Sequence, residues 1–176
     1  MGKFGMTMVL GLVLFLVGCG TAPTLKTAIE KKGIKYEQVL YSEKLSNGAV
    51  VFYETPPKDN TLGLGILLLE YRNKSWKLVA SEWSSYPKKE QMGWDFFRTA
   101  SGIDKKPFWI FYGIIENPLI EKIDIKIADE SYLHAKVIQT QRNPLWFIEL
   151  DSNVKPLAVV GYSKDNEQLY LVPLNN

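Results

Sequence analysis

One cysteine and one histidine in 176 residues remove most familiar chemistry before any motif is sought. A single cysteine has no partner for an internal disulfide, so packing and hydrogen bonds must hold the fold. His134, the single histidine, cannot complete the His and Cys sets that fill a tetrahedral zinc site, and no metal is expected. No G-x-S-x-G elbow accompanies it, which argues against a Ser-His-Asp triad. The plain reading of His134 is a solvated ring at a strand edge. Net charge is equally scarce: 21 basic against 19 acidic side chains leave a formal +2 and a pI near 8.5. That balance lacks the basic stripe of a nucleic-acid binder and the polybasic patch of a membrane-surface protein. Phosphate loops and dinucleotide fingerprints are absent. Gly63-Leu64-Gly65 sits inside a strand pattern, without a third glycine or a following helix, and reads as a bulge or close packing. There is no internal repeat and no low-complexity tract.

What is there begins at the first residues. A basic start at Lys3 leads into the uncharged apolar run Phe4 to Gly18, which ends in Leu16-Val17-Gly18-Cys19. This is the layout of a signal peptide, and the run is short for a spanning helix, which needs about 20 residues. The tetrapeptide resembles the lipobox of bacterial lipoproteins. That resemblance implies cleavage between Gly18 and Cys19, a diacylglyceryl group on the Cys19 sulfur and acylation of the new amino terminus. Each acyl chain contributes roughly 0.8 kcal/mol per buried methylene, so two or three chains hold a protein firmly at a membrane. The implied location is the cell membrane, lipid-anchored, facing away from the cytoplasm, with no cofactor besides the covalent lipid. Four other readings are weighed: an uncleaved transmembrane anchor, a secretory signal with a free thiol, a myristoylated Gly2, and a buried core cysteine. Myristoylation asks for Ser or Thr where Met6 stands, and a core cysteine seldom sits where an apolar run meets a polar linker.

Without residues 1–18, of which only Lys3 is charged, 158 of the 176 residues remain and the formal charge falls from +2 to +1. A domain of about 150 residues buries roughly 68–70% of its unfolded surface, enough for one self-sufficient core. The expected organisation is a signal peptide over 1–18, a lipidated tether over 19–24 and a single domain over 25–176.

Within that domain Leu25 to Gly33 reads as a short helix: Thr24 can cap it, Leu25, Ala28 and Ile29 share a face, Lys31 and Lys32 suit its C-terminal end, and Gly33 stops it. After Gly33 the period becomes two. Strands are expected at Glu37–Leu45 and Ala49–Glu54 around Ser46-Asn47-Gly48, where Asn-Gly signals a hairpin with positive φ at both central residues. A second hairpin is expected from Leu62–Tyr71 and Ser75–Trp83 around Arg72-Asn73-Lys74. Leu119 to Ala128 alternates fully, which predicts one wet face carrying Lys122, Asp124 and Lys126. Phe108–Tyr112 is apolar on both faces and predicts a central strand covered from both sides. Further strands are predicted at His134–Gln141, Trp146–Leu150, Leu157–Tyr162 and Gln168–Val172. Many short strands with one helix argue for a mainly β fold, an antiparallel sandwich or curled sheet.

The domain is also similar to small lipoproteins of Gram-positive, spore-forming bacteria. The similarity lies in the short N-terminal helix, the strand Val50-Val51-Phe52-Tyr53, the segment Tyr112-Gly113-Ile114-Ile115 leading into Ile123, the pair Trp146-Phe147 and the closing Gly161-Tyr162 hairpin. The resemblance implies architecture and location, and brings no activity with it.

For chemistry, paired carboxylates are one candidate, because Glu70, Glu82, Asp95, Glu116 and Glu149 lie on or near strands where two could converge as in a glycosidase. Outward strand positions and turns are their plain reading. Asp151-Ser152-Asn153 and Asp165-Asn166-Glu167 could offer oxygens to calcium but do not continue as EF-hand loops, and read as turns. Aromatics are the other candidate. Trp83, Tyr86 and Trp94 flank the loop over 87–91, where rings beside polar neighbours can stack on a sugar or anchor a protein partner. The alternative is that Trp76, Trp109 and Trp146 are core and that Trp83 and Trp94 close the ends of the sandwich. The sequence therefore predicts a membrane-anchored lipoprotein whose exposed domain is a binding module for an envelope protein or glycan. An envelope glycan hydrolase with paired carboxylates and a structural envelope or spore component are the alternatives.

Overall fold

In the computed structural model the described residues are 25–58, 61–87, 91–128 and 131–174. They form a short helix α1 (Leu25–Lys31) and twelve strands: β1 (Gln38–Leu45), β2 (Gly48–Lys58), β3 (Thr61–Arg72), β4 (Ser75–Pro87), β5 (Met92–Thr99), β6 (Phe108–Ile115), β7 (Lys122–Ile127), β8 (Tyr132–His134), β9 (Lys136–Ile138), β10 (Leu145–Leu150), β11 (Pro156–Tyr162) and β12 (Gln168–Pro173). These make three antiparallel four-stranded sheets, ordered β1-β2-β3-β4, β5-β6-β10-β9 and β12-β11-β7-β8. The fold is mainly β and sandwich-like.

The burial pattern stacks the sheets. Val50, Phe52, Leu64, Ile66 and Leu68 of the first sheet meet Phe97, Ile110, Tyr112, Ile114 and Phe147 of the second. On the opposite face of the second sheet, Met92, Phe111, Ile115, Trp146 and Leu150 meet Ile123, Ile125 and Val159 of the third. The middle sheet is therefore covered on both sides, which is why Phe108–Tyr112 carries no polar side chain on either face. α1 covers the outer face of the first sheet: Ile29 packs on Val51, Tyr53, Leu67 and Leu69. Gly33, at φ +67°, takes the left-handed conformation that ends the helix. Thr24, the expected cap, lies outside the described residues.

Contacts between the first two sheets fix their alignment. Lys136 of β9 binds Glu43 of β1 at 2.7 Å, Phe52 of β2 packs on Phe147 of β10 at 4.9 Å between centroids, and Ser84 of β4 donates to Asp95 of β5. A second clamp lies at the β1 end. The nearly buried Glu54 accepts from Arg142 Nη1 at 2.9 Å and from Gln38 Nε2 at 2.7 Å. The second guanidinium nitrogen of Arg142 binds Glu37 at 3.2 Å. Salt-bridged in this way, the buried carboxylate avoids the large cost of an uncompensated charge.

Three details depart from the sequence reading. In the first hairpin Leu45 pairs with Gly48, so Ser46 and Asn47 are the central residues and neither has positive φ. Gly48 serves close packing instead: a Cβ there would lie 2.1 Å from the Leu69 carbonyl oxygen. Two left-handed residues stand instead in the β3–β4 turn, at Asn73 (φ 52°) and Lys74 (φ 58°), matching a type I′ hairpin without glycine. Next, the expected wet face of β7 holds Asp124, which is 3% exposed. Because β7 is an inner strand between β11 and β8, its neighbours wall that side chain in, and Lys122 Nζ at 3.3 Å and His134 Nδ1 at 2.6 Å bind its oxygens. Finally, the strand expected over His134–Gln141 is two three-residue strands in different sheets. The chain crosses at Ala135, whose N–H binds the Ile123 carbonyl at 2.9 Å.

Candidate aromatic groove between the second and third sheets

β5 is an edge strand of the middle sheet, and the period of two sends Trp94, Phe96 and Arg98 to the face that looks toward the third sheet. In the β5–β6 register Phe96 stands opposite Phe111, Arg98 opposite Trp109, and Trp94 opposite Gly113. The rings form one slab. Phe96 stacks on Phe111 at 4.5 Å with an interplanar angle of 23°, Trp94 stacks on Phe111 at 6.0 Å, and Trp109 meets Phe96 edge-on at 5.7 Å. Glycine at 113 is required by close approach, since a Cβ would lie 2.0 Å from the Gly93 carbonyl oxygen and 2.7 Å from Trp146 Nε1.

The third sheet does not close over this slab. Val154, Pro156, Pro173 and Leu174, from the ends of β11 and β12, form the facing wall of a groove of about 690 Å³. Trp94, Phe96 and Trp109 remain half-buried along it. Ser152, Asn153, Arg98 and Lys155 supply its polar groups. Arg98 and Lys155 are exposed, and neither is ion-paired among the described residues. The volume falls in the usual range for small-molecule sites, about 300–1,000 Å³.

A second groove, of about 410 Å³, lies on the outer face of the first sheet. Tyr53 lines it, its ring so close to Gly65 that a Cβ there would sit 2.0 Å from Cζ, and Trp83 forms one wall at 62% exposure. Gly63 and Gly65 are thus the close-packing glycines that Gly63-Leu64-Gly65 suggested.

The predicted contact residues do not form one surface. Trp83 points outward from β4 on the helix side, and Trp94 points into the groove beside the third sheet, so the middle sheet separates them. The side chain of Tyr86 and the residues Gly18 and Cys19 lie outside the described set. Of the other tryptophans, Trp146 is fully buried, whereas Trp76 and Trp109 are half-buried.

Two of the five carboxylates come together. Glu82 of β4 is near enough to Asp95 of β5 that the Asp95 charge, after burial, raises the Glu82 pKa, and Ser84 of β4 donates to Asp95. Tyr112 lies behind them, fully buried, its hydroxyl oxygen without a hydrogen bond among the described residues although Ser84 is close by. Burial, then the Asp95 and Glu82 charges, drives its pKa upward. Glu70 instead accepts from the Asp104 N–H, and Glu149 is raised by burial and by Asp151. His134 is exposed and engaged with Asp124. Among the described residues no three His, Cys, Asp or Glu side chains gather as metal ligands.

Sequence reasoning missed Phe96, Phe111, Trp109, Arg98 and Lys155 as one site. The signal was present in Met92-x-Trp94-x-Phe96-x-Arg98, but Phe97 places an apolar side chain on the other face of β5 and masks the alternation. The cross-strand register and the separate segment 152–156 could not be read from spacing.

No protein-family model, curated protein or solved structure matches this chain. No helix among the described residues is long and apolar enough to cross a membrane.

Proposed function

We propose that this protein is a lipid-anchored binding module displayed outside the cytoplasmic membrane, held by an acylated Cys19 and binding through the groove between β5–β6 and the ends of β11 and β12. The observation that carries the binding role is the half-buried aromatic slab. Trp94, Phe96 and Trp109 keep apolar surface at an open groove beside two unpaired cations, an arrangement a packed core has no use for. Leu16-Val17-Gly18-Cys19 supports the anchor. The two parts serve one reading: acyl chains hold the module at the membrane, and a rigid sandwich presents the groove to the envelope.

The test of the anchor is intact-mass analysis of the membrane-extracted protein, wild type against Cys19→Ala. The expected wild-type species begins at Cys19 and carries acyl mass, while the variant keeps its first residues or leaves the membrane. An uncleaved, unmodified wild-type chain would remove the lipoprotein reading.

The second reading, a glycan hydrolase using two carboxylates, draws on the Glu82–Asp95 pair and the raised Glu82 pKa, which suits a general acid. Neither carboxylate lines either groove described above. Glycan cleavage by the wild type that is lost in both Glu82→Gln and Asp95→Asn would favour it.

A further inference from the structure

The chemistry of the groove narrows what it binds. We infer that it takes a single-chain anionic amphiphile, its alkyl chain along the aromatic slab and its carboxylate or phosphate head at Arg98 and Lys155. This rests on the groove being the binding surface, as proposed above.

Three observations carry the inference. First, the groove is apolar on two sides. The aromatic slab of β5 and β6 faces Val154, Pro156 and Leu174, so a ligand in it lies between two hydrophobic walls, with the polar groups set beside them. A pyranose, with hydroxyls around its ring, would turn some of them onto those walls, where they find no partner, at a cost for each. Second, the rings spend their faces on one another. Phe96 and Phe111 are stacked at 4.5 Å, Trp94 stacks on Phe111, and Trp109 abuts Phe96. A face turned onto a neighbouring ring is not free as a flat sugar platform, whereas the sides of an alkyl chain pack on ring edges as well as on faces. Third, the groove is polarised. Trp94, Phe96 and Arg98 are successive residues on one face of β5, so the apolar row runs about 13 Å before it ends in a cation, at roughly 3.3 Å per residue. Lys155 adds a second exposed cation to the lining, Ser152 and Asn153 add neutral hydrogen-bonding groups, and among the described residues no carboxylate lines the groove. A chain with one negative end is complementary to that pattern, whereas a cation would leave both positive charges unmatched and repel them.

The experiment uses the full-length protein in its own membrane, labelled with a diazirine-bearing dodecanoate and mapped by peptide mass spectrometry. Adducts are expected in the peptides covering 92–98 and 152–156. Unlabelled dodecanoate should compete at least tenfold more effectively than dodecanol. Replacing both cations, Arg98→Gln with Lys155→Gln, should reduce groove labelling about tenfold without lowering the melting temperature, since both side chains are exposed and unpaired. Equal competition by dodecanol, or labelling unchanged in the double variant, would overturn the anionic amphiphile. A chito-oligosaccharide that protects the groove while dodecanoate does not would replace the ligand class and keep the groove. If dodecanoate, dodecanol and the oligosaccharide all leave groove labelling unchanged, the groove itself fails as the binding surface.

Discussion

Tyr112→Phe should make this protein more stable. Tyr112 is 0% exposed, between the first and middle sheets, and its hydroxyl is buried without a hydrogen bond among the described residues. An unsatisfied buried polar group costs about 1–3 kcal/mol, and phenylalanine keeps the ring, so the substitution removes that cost without opening a cavity. For a domain of this size 1 kcal/mol corresponds to roughly 2–4 °C in melting temperature, and a rise of at least that size is expected. The alkaline limb gives an independent check. Burial raises the tyrosine pKa above its usual 10, so the phenol contributes stability below pH 10 that is lost as the pH climbs through the raised value. Thermal unfolding of wild type and variant between pH 7 and pH 11 should show the variant higher at neutral pH and less sensitive to alkali. Tyr53 and Tyr162 are also shifted upward, so some alkaline loss persists. A fall in stability of 1 kcal/mol or more at pH 7 would mean that Ser84 or a water satisfies the hydroxyl and would refute the reasoning.

Other substitutions test the same packing and charge arguments. Gly113→Ala gains backbone entropy worth about 0.5–1 kcal/mol but drives a Cβ to 2.0 Å from the Gly93 carbonyl; overpacking costs typically 1–3 kcal/mol, so chemical denaturation should show a net loss. Glu82→Gln should stabilise at neutral pH. Its pKa is raised by burial and by Asp95, so the wild-type carboxyl favours the fold below its ordinary value of 4.5 and loses that contribution as the pH rises through the raised one; the variant's advantage should vanish on acidification. Glu43 is the opposite case. Hydrogen bonds from Lys136 and Tyr41 lower its pKa, so its stabilisation is present above 4.5 and lost as the pH falls through the lowered value. Melting curves of Glu43→Gln should accordingly show a flatter acid limb than wild type.

Much of the fold is legible because alternation is a direct record of burial. Phe108-Trp109-Ile110-Phe111-Tyr112 has no polar position, which requires cover on both faces, and β6 lies inside the middle sheet. The same rule failed at Asp124, because alternation tells which face a residue takes but not whether neighbouring strands enclose it. It failed again at Ala135, where apolar and polar residues continue the period while the chain changes sheets. At Ser46-Asn47-Gly48 the turn residues were right and the register was shifted by one, since Gly48 answers to the Leu69 carbonyl, 21 residues away in sequence. The groove needed most from the structure. It joins one face of β5, two positions of β6 and the segment 152–156, and only the strand register brings these together.

The proposed binding surface is this groove rather than the outer face bearing Trp83. It is tested most directly in intact cells, with a photoreactive phenylalanine placed at position 96 in one strain and at position 83 in another. Irradiation should give saturable adducts from position 96, abolished when Arg98 and Lys155 are both changed to Gln, and only background from position 83. Adducts from position 83 alone would contradict the account and move the binding surface to the groove lined by Tyr53.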